Sequence, residues 1–273
     1  MNEVQKAIEM RELLGIDLGH RSTTYDAKDV ILYALAIGAG AKDLDLVFER
    51  DLKVIPTFSL TLGLWAVRAA GLLGAYDPTT TLHIGQGLVM RKPLPATATV
   101  DMSSSISAVW DKGSAALVEV TVISDYFDAI YLIYAVGAGG FGGERGPRSS
   151  ATEPDGDPSM HFIQLTDENQ AALYRLTGDV HPVHIDPDVA RSAGFDRPIL
   201  HGLCTLGTIV RAMAVAADED PTKLKRLNAR FTAPVYPGEM LEIDCWQSDH
   251  DMRFTSSVSG TGIIIQGDAQ FQP

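Results

Sequence analysis

The chain has 273 residues, of which 45% are hydrophobic and 21% charged, so its composition is that of a folded protein with a sizeable core. Its formal net charge of -13 at pH 7 argues against non-specific binding to nucleic acid, which requires clustered positive charge. The longest apolar stretch, AIYLIYAVGA at residues 129–138, is far shorter than the roughly 20 residues of a membrane-spanning helix. It is rich in β-branched and aromatic residues, so we expect a buried strand there and no membrane span.

Two further features bear on the cellular compartment. Residues 1–15 are charged throughout and lack the apolar segment of a signal peptide. The two cysteines, Cys204 and Cys245, have no CxxC partner and imply no disulfide framework. These features predict a protein of the reducing cytoplasm.

A linker divides the chain almost in half. Residues 143–159, GERGPRSSATEPDGDPS, are rich in Gly, Pro, Ser and charge and show no apolar period. We therefore predict a first domain at residues 1–145, a linker at 146–158 and a second domain at 159–273.

The two halves repeat the same order of elements. VIPTFSLTLG at residues 54–63 and PILHGLCTLG at 198–207 are each followed by an apolar helical pattern, a turn and several strand-like segments. A helix that is apolar on most sides must be buried, and a run of antiparallel strands can wrap around it. The sequence thus predicts an α+β fold in which each half is an antiparallel sheet wrapped on a central helix. We expect the halves to pack as a pseudo-dimer, which covers the sheet edges.

The halves differ in the loop before the central helix. When the repeats are aligned, Gly38 falls opposite Asp179 and Asp43 falls opposite His184. The dipeptide HG at residues 201–202 also has no counterpart in the first half. Only the second half keeps this polar cluster, so we expect the first half to act as a wall or binding surface.

The cluster lies in GDVHPVHIDP, residues 178–187, and one interpretation is a metal site. His181, His184 and Asp186 are closely spaced, and His201 is a possible fourth ligand for zinc. However, two prolines prevent the i, i+4 presentation of helix-borne histidine pairs, and no cysteine lies in the loop. We therefore expect no metal.

Two other interpretations fit the loop. Asp186 directly precedes a proline, which predicts that it caps the helix beginning there. Asp179 and His184 lie five residues apart across a proline-containing loop that can fold both side chains toward one point. Histidine can take a proton from water near neutral pH, and the amides at the start of a helix at Gly202 can stabilise a developing negative charge. An acid/base pair beside such an oxyanion site suits chemistry next to a carbonyl.

These motifs resemble those of a known family. GDVHPVHIDP is similar to the motif G-D-x-N-P-x-H-x-D-P of the MaoC-like (R)-specific enoyl-CoA hydratases, and GFDRPILHG is similar to their motif G-F-x-x-P-I-x-H-G. The two-half layout resembles the eukaryotic-type subgroup of this family, as in the hydratase region of the peroxisomal multifunctional enzyme. Further similar strings are IPTF (55–58), KPLP (92–95), DKGS (111–114), GAGGFGGERGP (137–147) and ARFTAPVYPGE (229–239). The resemblance covers nearly the whole chain.

The resemblance implies a double hotdog fold and the hydration of a trans-2-enoyl-CoA to the (R)-3-hydroxyacyl-CoA. In the matching positions, Asp179 and His184 hold and activate the water, with His184 as the base and Asp179 as the proton donor. The amide of Gly202 matches the oxyanion donor. No metal or redox cofactor is implied, because the thioester is the electron sink and CoA is part of the substrate.

The same resemblance points to the residues around the acyl-CoA. It indicates His83 and Lys112 from the first half as substrate or CoA contacts, although an ordinary strand histidine and a hairpin-turn lysine explain them equally well. His201, Arg230 and Phe231 are further candidates, with a core position favoured for Phe231.

One position departs from the family motif. His181 stands where the family has Asn, which offers neutral amide donors and acceptors. We expect His181 to keep an orienting role. If it were charged, it would favour the ionised form of Asp179.

Two other functions remain open at this stage. A hotdog thioesterase also handles acyl-CoA, and an inactive acyl-CoA-binding subunit would retain the fold without turnover. Within the hydratase interpretation, the degenerate first half suggests a long or bulky acyl chain, such as a sterol side chain. We also expect a homodimer.

Overall fold

The computed structural model describes residues 8–147 and 156–272. The helices are α1 (Ala27–Ala36), α2 (Leu44–Val47), α3 (Ser59–Gly63), α4 (Trp65–Gly71), α5 (Gln170–Tyr174), α6 (Pro187–Ser192) and α7 (Gly202–Ala216). The strands are β1 (Asp17–Tyr25), β2 (Thr81–Met90), β3 (Ala98–Asp111), β4 (Ala115–Ser124), β5 (Phe127–Val136), β6 (Met160–Leu165), β7 (Leu224–Phe231), β8 (Met240–Ser248), β9 (Asp251–Val258) and β10 (Gly262–Phe271).

The strands form one continuous antiparallel sheet. Its order is β1-β3-β4-β5-β2-β7-β10-β9-β8-β6. The first five strands thus have the order 1-3-4-5-2. When β6 to β10 are numbered 1 to 5, the last five have the reverse order, 2-5-4-3-1. The two halves therefore share one strand order, which confirms the repeat predicted from the sequence. The halves are joined by the pairing of β2 with β7, which runs from Gly85 opposite Arg230 to Val89 opposite Arg226. Backbone hydrogen bonding therefore makes the pseudo-dimer a single sheet.

Strand β5 shows why the sheet wraps around helices. Its alternate side chains, at Phe127, Ala129, Tyr131, Ile133 and Ala135, are all buried, as the period of two in a half-buried strand requires. The hydroxyl of Tyr131 donates to the carbonyl of Leu60 in α3 at 2.7 Å. The apolar stretch at residues 129–138 is therefore mostly a buried strand, as predicted. No helix of the described ranges is long and apolar enough to cross a membrane.

The two central helices are unequal. Helix α7 is one continuous element whose residues from Leu203 to Ala214 are all buried. The first half has two short helices, α3 and α4, after a 3₁₀ turn at Pro56–Phe58. The hydroxyls of Ser59 and Thr61 donate to carbonyls three residues earlier, which competes with the α-helical ladder. The single long helix expected in the first half is therefore interrupted.

The domain boundaries lie close to residues 148–155, which are outside the described residues. The nearest strands on either side are β5, ending at Val136, and β6, beginning at Met160. The division into 1–145, 146–158 and 159–273 stays a prediction.

Candidate active site

The GDVHPVHIDP loop follows α5 and precedes α6. Gly178 has φ 135°, a conformation that favours glycine. The carboxylate of Asp186 accepts from the amides of Asp188 at 2.8 Å and Val189 at 3.4 Å, which confirms it as the N-cap of α6. Asp186 therefore stabilises a helix end and does not join the polar cluster.

Asp179 and His184 come together across the loop. Oδ2 of Asp179 lies 4.0 Å from Nε2 of His184, with 25% and 12% of the two side chains exposed. Nδ1 of His184 lies 2.9 Å from the carbonyl of Ile199, which can only accept, so Nδ1 carries the proton. In the neutral ring the lone pair on Nε2 therefore faces Asp179. The distance is too long for a direct hydrogen bond and leaves both groups free to contact one water.

The charge state of His184 follows from its surroundings. Burial lowers its pKa below the ordinary value, while the nearby Asp179 acts in the opposite direction. Near pH 7 His184 is therefore neutral and able to accept a proton.

His201 lies behind this pair. Its ring stacks on that of His184 with centroids 3.7 Å apart and an interplanar angle of 24°. Its Nε2 donates to the carbonyl of Asp179 at 3.1 Å. Burial, followed by the neighbouring His184, lowers its pKa to about 3. Only 1% of its surface is exposed, which does not suit the direct CoA contact expected for His201 from the sequence.

Gly202 begins α7 beside an aromatic wall. Because the first amides of a helix have no acceptor within it, the Gly202 amide lies at the end of α7 where an oxyanion can bind. A Cβ at this position would lie 3.3 Å from the ring of Phe231. Phe231 is half-buried, so it forms part of the site wall as well as packing on the core.

The first half contributes His83 to this wall. Its ring centroid lies 5.1 Å from that of Phe231, and its Nε2 donates to the carbonyl of Gly85 at 3.0 Å. Burial lowers the pKa of His83 to about 4, although the charge of Asp179 reaches it and acts in the opposite direction. The structure thus brings His83 of β2 against Phe231 of the other half.

Lys112 lies in the turn between β3 and β4, and Arg230 lies on β7 directly before Phe231. Nζ of Lys112 donates to the carbonyls of Arg145 and Pro147. The carboxylate of the preceding residue, Asp111, accepts from the amides of Gly113, Gly140 and Gly142. The hairpin-turn interpretation of Lys112 therefore accounts for its observed contacts. Arg230 is exposed on β7, opposite Gly85.

His181 caps the short 3₁₀ turn Pro182–His184. Its Nδ1 accepts from the amide of Val183 at 3.2 Å, and its ring centroid lies 6.2 Å from that of His184. An amide oxygen of Asn could accept the same bond. The histidine therefore preserves the turn that presents His184.

The equivalent place in the first half is filled. In the repeat Phe58 aligns with Gly202, and its buried ring packs against Tyr25 and Tyr33 with centroids 5.1 and 5.3 Å away. The first half therefore has a packed aromatic side chain where the second half has a glycine.

The degenerate loop of the first half is held by a residue that sequence analysis missed. Arg211, buried in α7, donates from Nε to the carbonyl of Ile37 at 3.1 Å, and its Nη2 lies 3.2 Å from where a Cβ of Gly38 would be. A lone arginine in an otherwise apolar helix was the available signal. The glycine opposite Asp179 thus makes room for a structural cation.

The ligand atoms of Asp179, His184 and His201 lie within 4.8 Å of one another, so a metal must be considered. An imidazole lone pair lies in the ring plane, and a zinc ion must sit in both planes about 2.0–2.1 Å from each nitrogen. Two rings stacked 3.7 Å apart at 24° have planes that meet well beyond that distance. This arrangement does not fit a metal. The ligands considered in the sequence also included Asp186 and His181, but these two residues cap α6 and the 3₁₀ turn.

Comparisons with known proteins agree with this geometry. The model for the MaoC like domain matches residues 149–267, and that for the MFE-2 hydratase 2 N-terminal domain matches residues 23–130. The chain is 35% identical over 274 residues to mouse peroxisomal multifunctional enzyme type 2, covering 92% of this chain and 37% of that one. It is 35% identical over 264 residues to Arabidopsis thaliana enoyl-CoA hydratase 2, peroxisomal, covering 86% and 85%.

Among solved structures, a MaoC-like dehydratase from Phytophthora capsici superposes with a TM-score of 0.86 at 25% identity, covering 97% of this chain and 98% of that one. The chain spans well under half the length of the mouse relative, so it corresponds to one region of that larger protein. The expected double hotdog fold is confirmed. Since both halves match their family models in order, the chain belongs to the MaoC-like family, in the subgroup whose first half is of the hydratase 2 N-terminal type.

Proposed function

We propose that this protein reversibly hydrates a trans-2-enoyl-CoA to the (R)-3-hydroxyacyl-CoA. The observation that carries the proposal is the pairing of the carboxyl group of Asp179 with the neutral imidazole of His184, 4.0 Å apart, next to the N-terminus of α7. Relatives named enoyl-CoA hydratase 2 and 3-hydroxyacyl-thioester dehydratase support it.

In the reactive state the carboxyl group of Asp179 carries a proton and Nε2 of His184 carries none. Nε2 of His184 takes a proton from water as the water oxygen bonds to C3, and the electrons of the C2–C3 double bond move toward the thioester oxygen. The Gly202 amide stabilises the resulting enolate. Asp179 then gives its proton to C2, and transfer of the proton from His184 to Asp179 restores the pair.

The thioester supplies the electron sink, so we propose that no metal or redox cofactor takes part and that CoA enters only as part of the substrate. Activity should survive dialysis against a chelator. Inactivation that zinc reverses would contradict this.

We propose that the substrate carries a long or bulky acyl chain, such as a sterol side chain. The support is the first half, which carries Phe58 where the second half has Gly202 and exposes the apolar side chains of Leu44 and Phe48 at the two ends of α2. Rates across enoyl-CoA esters from four carbons upward, with a polycyclic ester included, test this. A strong preference for four carbons would refute it.

We also propose a cytoplasmic homodimer. Both cysteines are buried and free, as in a reducing compartment. Strand β6 is a sheet edge that exposes Ile163 and Leu165, which suits association with a second copy. The mouse and Arabidopsis relatives both have peroxisomal names, so fractionation of tagged protein tests the compartment, and light scattering after gel filtration tests the dimer.

The decisive assay follows both enoyl absorbance and free thiol after mixing with an enoyl-CoA. Loss of absorbance without thiol, with product oxidised only by an (R)-specific dehydrogenase, is the expected result. Thiol release without a 3-hydroxyacyl product would indicate a thioesterase. Equal and near-zero turnover in wild type, Asp179→Asn and His184→Ala, with CoA binding intact, would indicate an acyl-CoA-binding subunit.

A further inference from the structure

His201 makes contacts that a substrate-binding residue would not make. It is buried, it stacks on His184, and its Nε2 donates to the backbone carbonyl of Asp179. One side chain thus contacts both members of the proposed acid/base pair from behind, through a ring face and through a hydrogen bond.

We propose that His201 is a positioning residue that fixes the backbone at Asp179 and the ring plane of His184. This inference rests on the proposed hydratase function of the pair. His201 itself touches neither the water nor the substrate.

The hydrogen bond holds the loop. Asp179 follows Gly178, whose φ of 135° marks a turn, and its carboxylate also accepts from the amide of His181 at 3.2 Å. The donor on His201 lies 22 residues further along the chain, at the N-cap of α7. It therefore ties the catalytic loop to the helix that supplies the Gly202 amide.

The stacking holds the ring of His184. Its Nδ1 is fixed by the Ile199 carbonyl, but one hydrogen bond leaves the ring free to tilt about that contact. The stacked ring of His201, inclined by 24° with its centroid 3.7 Å away, restricts the tilt and keeps Nε2 directed at Asp179.

His201 must stay neutral and in one tautomer for this role. The charged or titratable groups that face it are Asp179, His184, Tyr174 and Arg175. With Nε2 protonated, its Nδ1 is an acceptor, and this buried atom has no partner among the described residues. The hydroxyl of Tyr174 is also buried and unpartnered, and its ring centroid lies 4.9 Å from that of His201. Burial holds the pKa of Tyr174 well above its ordinary value, so it remains a donor, and a bridging water or a small ring movement would pair the two.

Three substitutions separate the two contacts. His201→Gln keeps a donor for the Asp179 carbonyl but loses the stacked ring, His201→Phe keeps a stacked ring but loses the donor, and His201→Ala loses both. We expect kcat to fall on the order of 10²-fold in His201→Ala, as for a displacement of about 1 Å, and by less in the other two. The KM should change by less than about threefold, because His201 does not contact CoA.

The pH profile gives a second readout. Water that enters behind His184 in His201→Ala and His201→Gln relieves its desolvation, so the acid limb of kcat/KM should move to higher pH. Truncation of a buried residue that does not contact His184 would lower the thermal midpoint without moving this limb. A tenfold rise in KM with kcat intact, or unchanged kcat in folded His201→Ala, would overturn the proposal.

Nitrogen-15 NMR of the histidine rings tests the proposal without turnover. In wild type, His201 should remain neutral with its proton on Nε2 between about pH 5 and 8, and His184 should carry its neutral-state proton on Nδ1. In His201→Phe the His184 tautomer should persist while the Asp179 loop amides shift. Titration of His201 near its ordinary pKa would refute the positioning role, whereas a wild type that does not hydrate enoyl-CoA but shows these tautomers would refute only the proposed function.

Discussion

Replacing Asp179 by Asn is the most direct test of the acid/base pair. The substitution is nearly isosteric, and an amide oxygen can still accept from the His181 amide, so the loop should keep its shape. What is lost is the exchangeable proton and the negative charge that forms when Asp179 delivers it. The variant should therefore fold normally and fail in chemistry.

The expected magnitude follows from the distance within the pair. After proton transfer, an imidazolium on His184 and a carboxylate on Asp179 would lie 4.0 Å apart. Two unit charges at that distance attract by about 4 kcal/mol at an effective dielectric constant of about 20. At about 1.4 kcal/mol per decade, kcat should fall on the order of 10³-fold, within the usual range for general acid–base catalysis.

The assay is the initial rate of enoyl absorbance loss at saturating substrate, with thermal unfolding measured on the same samples. Asp186→Asn is the matched control, since it neutralises a carboxylate in the same loop while Asn caps a helix about as well as Asp. It should retain kcat within about twofold. A folded Asp179→Asn variant within tenfold of wild type, or an equal loss in Asp186→Asn, would show that the pair is not the catalytic centre.

Three further predictions follow from the same contacts. His184→Gln should lose a similar factor in kcat, and the double variant with Asp179→Asn should lose little more, because the two groups act as a unit; additive losses would contradict this. Asp186→Ala should lower the free energy of unfolding by about 1 kcal/mol in urea titrations while leaving kcat nearly unchanged. His83 and His201 have folded pKa values of about 4 and about 3, so the unfolded chain binds more protons than the folded chain below pH 6.5. The free energy of unfolding should therefore decrease as the pH is lowered from 6.5 through those two values. At pH 5 each histidine should have lowered the free energy of unfolding by about 2 kcal/mol, and His83→Gln should make its decrease with pH less steep. A free energy of unfolding that stays constant over this window would refute the lowered pKa values.

Features set by neighbouring residues could be read from the sequence. The aspartate before a proline predicted the cap of α6, because its partners are two and three residues away. The apolar stretch at 129–138 predicted β5, because burial of alternate side chains is a property of the strand itself. The matching order of elements predicted the pseudo-dimer, and the motif predicted which loop carries the polar groups.

The role of His201 could not be predicted from the sequence. As part of an HG dipeptide it resembled a substrate contact, yet its position behind the pair depends on a stack and a hydrogen bond to residues 17 and 22 positions away. Likewise, Arg211 looked like an isolated polar residue, because its partner Ile37 lies 174 residues away in the other half.

The sequence by itself therefore determined the fold class, the repeat and the location of the proposed pair. The tertiary structure alone decided that one continuous sheet joins the halves through β2 and β7, that Phe58 packs into the core where the second half has Gly202, and that His83 packs against Phe231 of the other half. The physical reason is the separation along the chain of the residues that interact. Helix caps and strand alternation arise from interactions within a few residues, whereas ring stacking, buried hydrogen bonds and charge effects depend on which distant segments pack together.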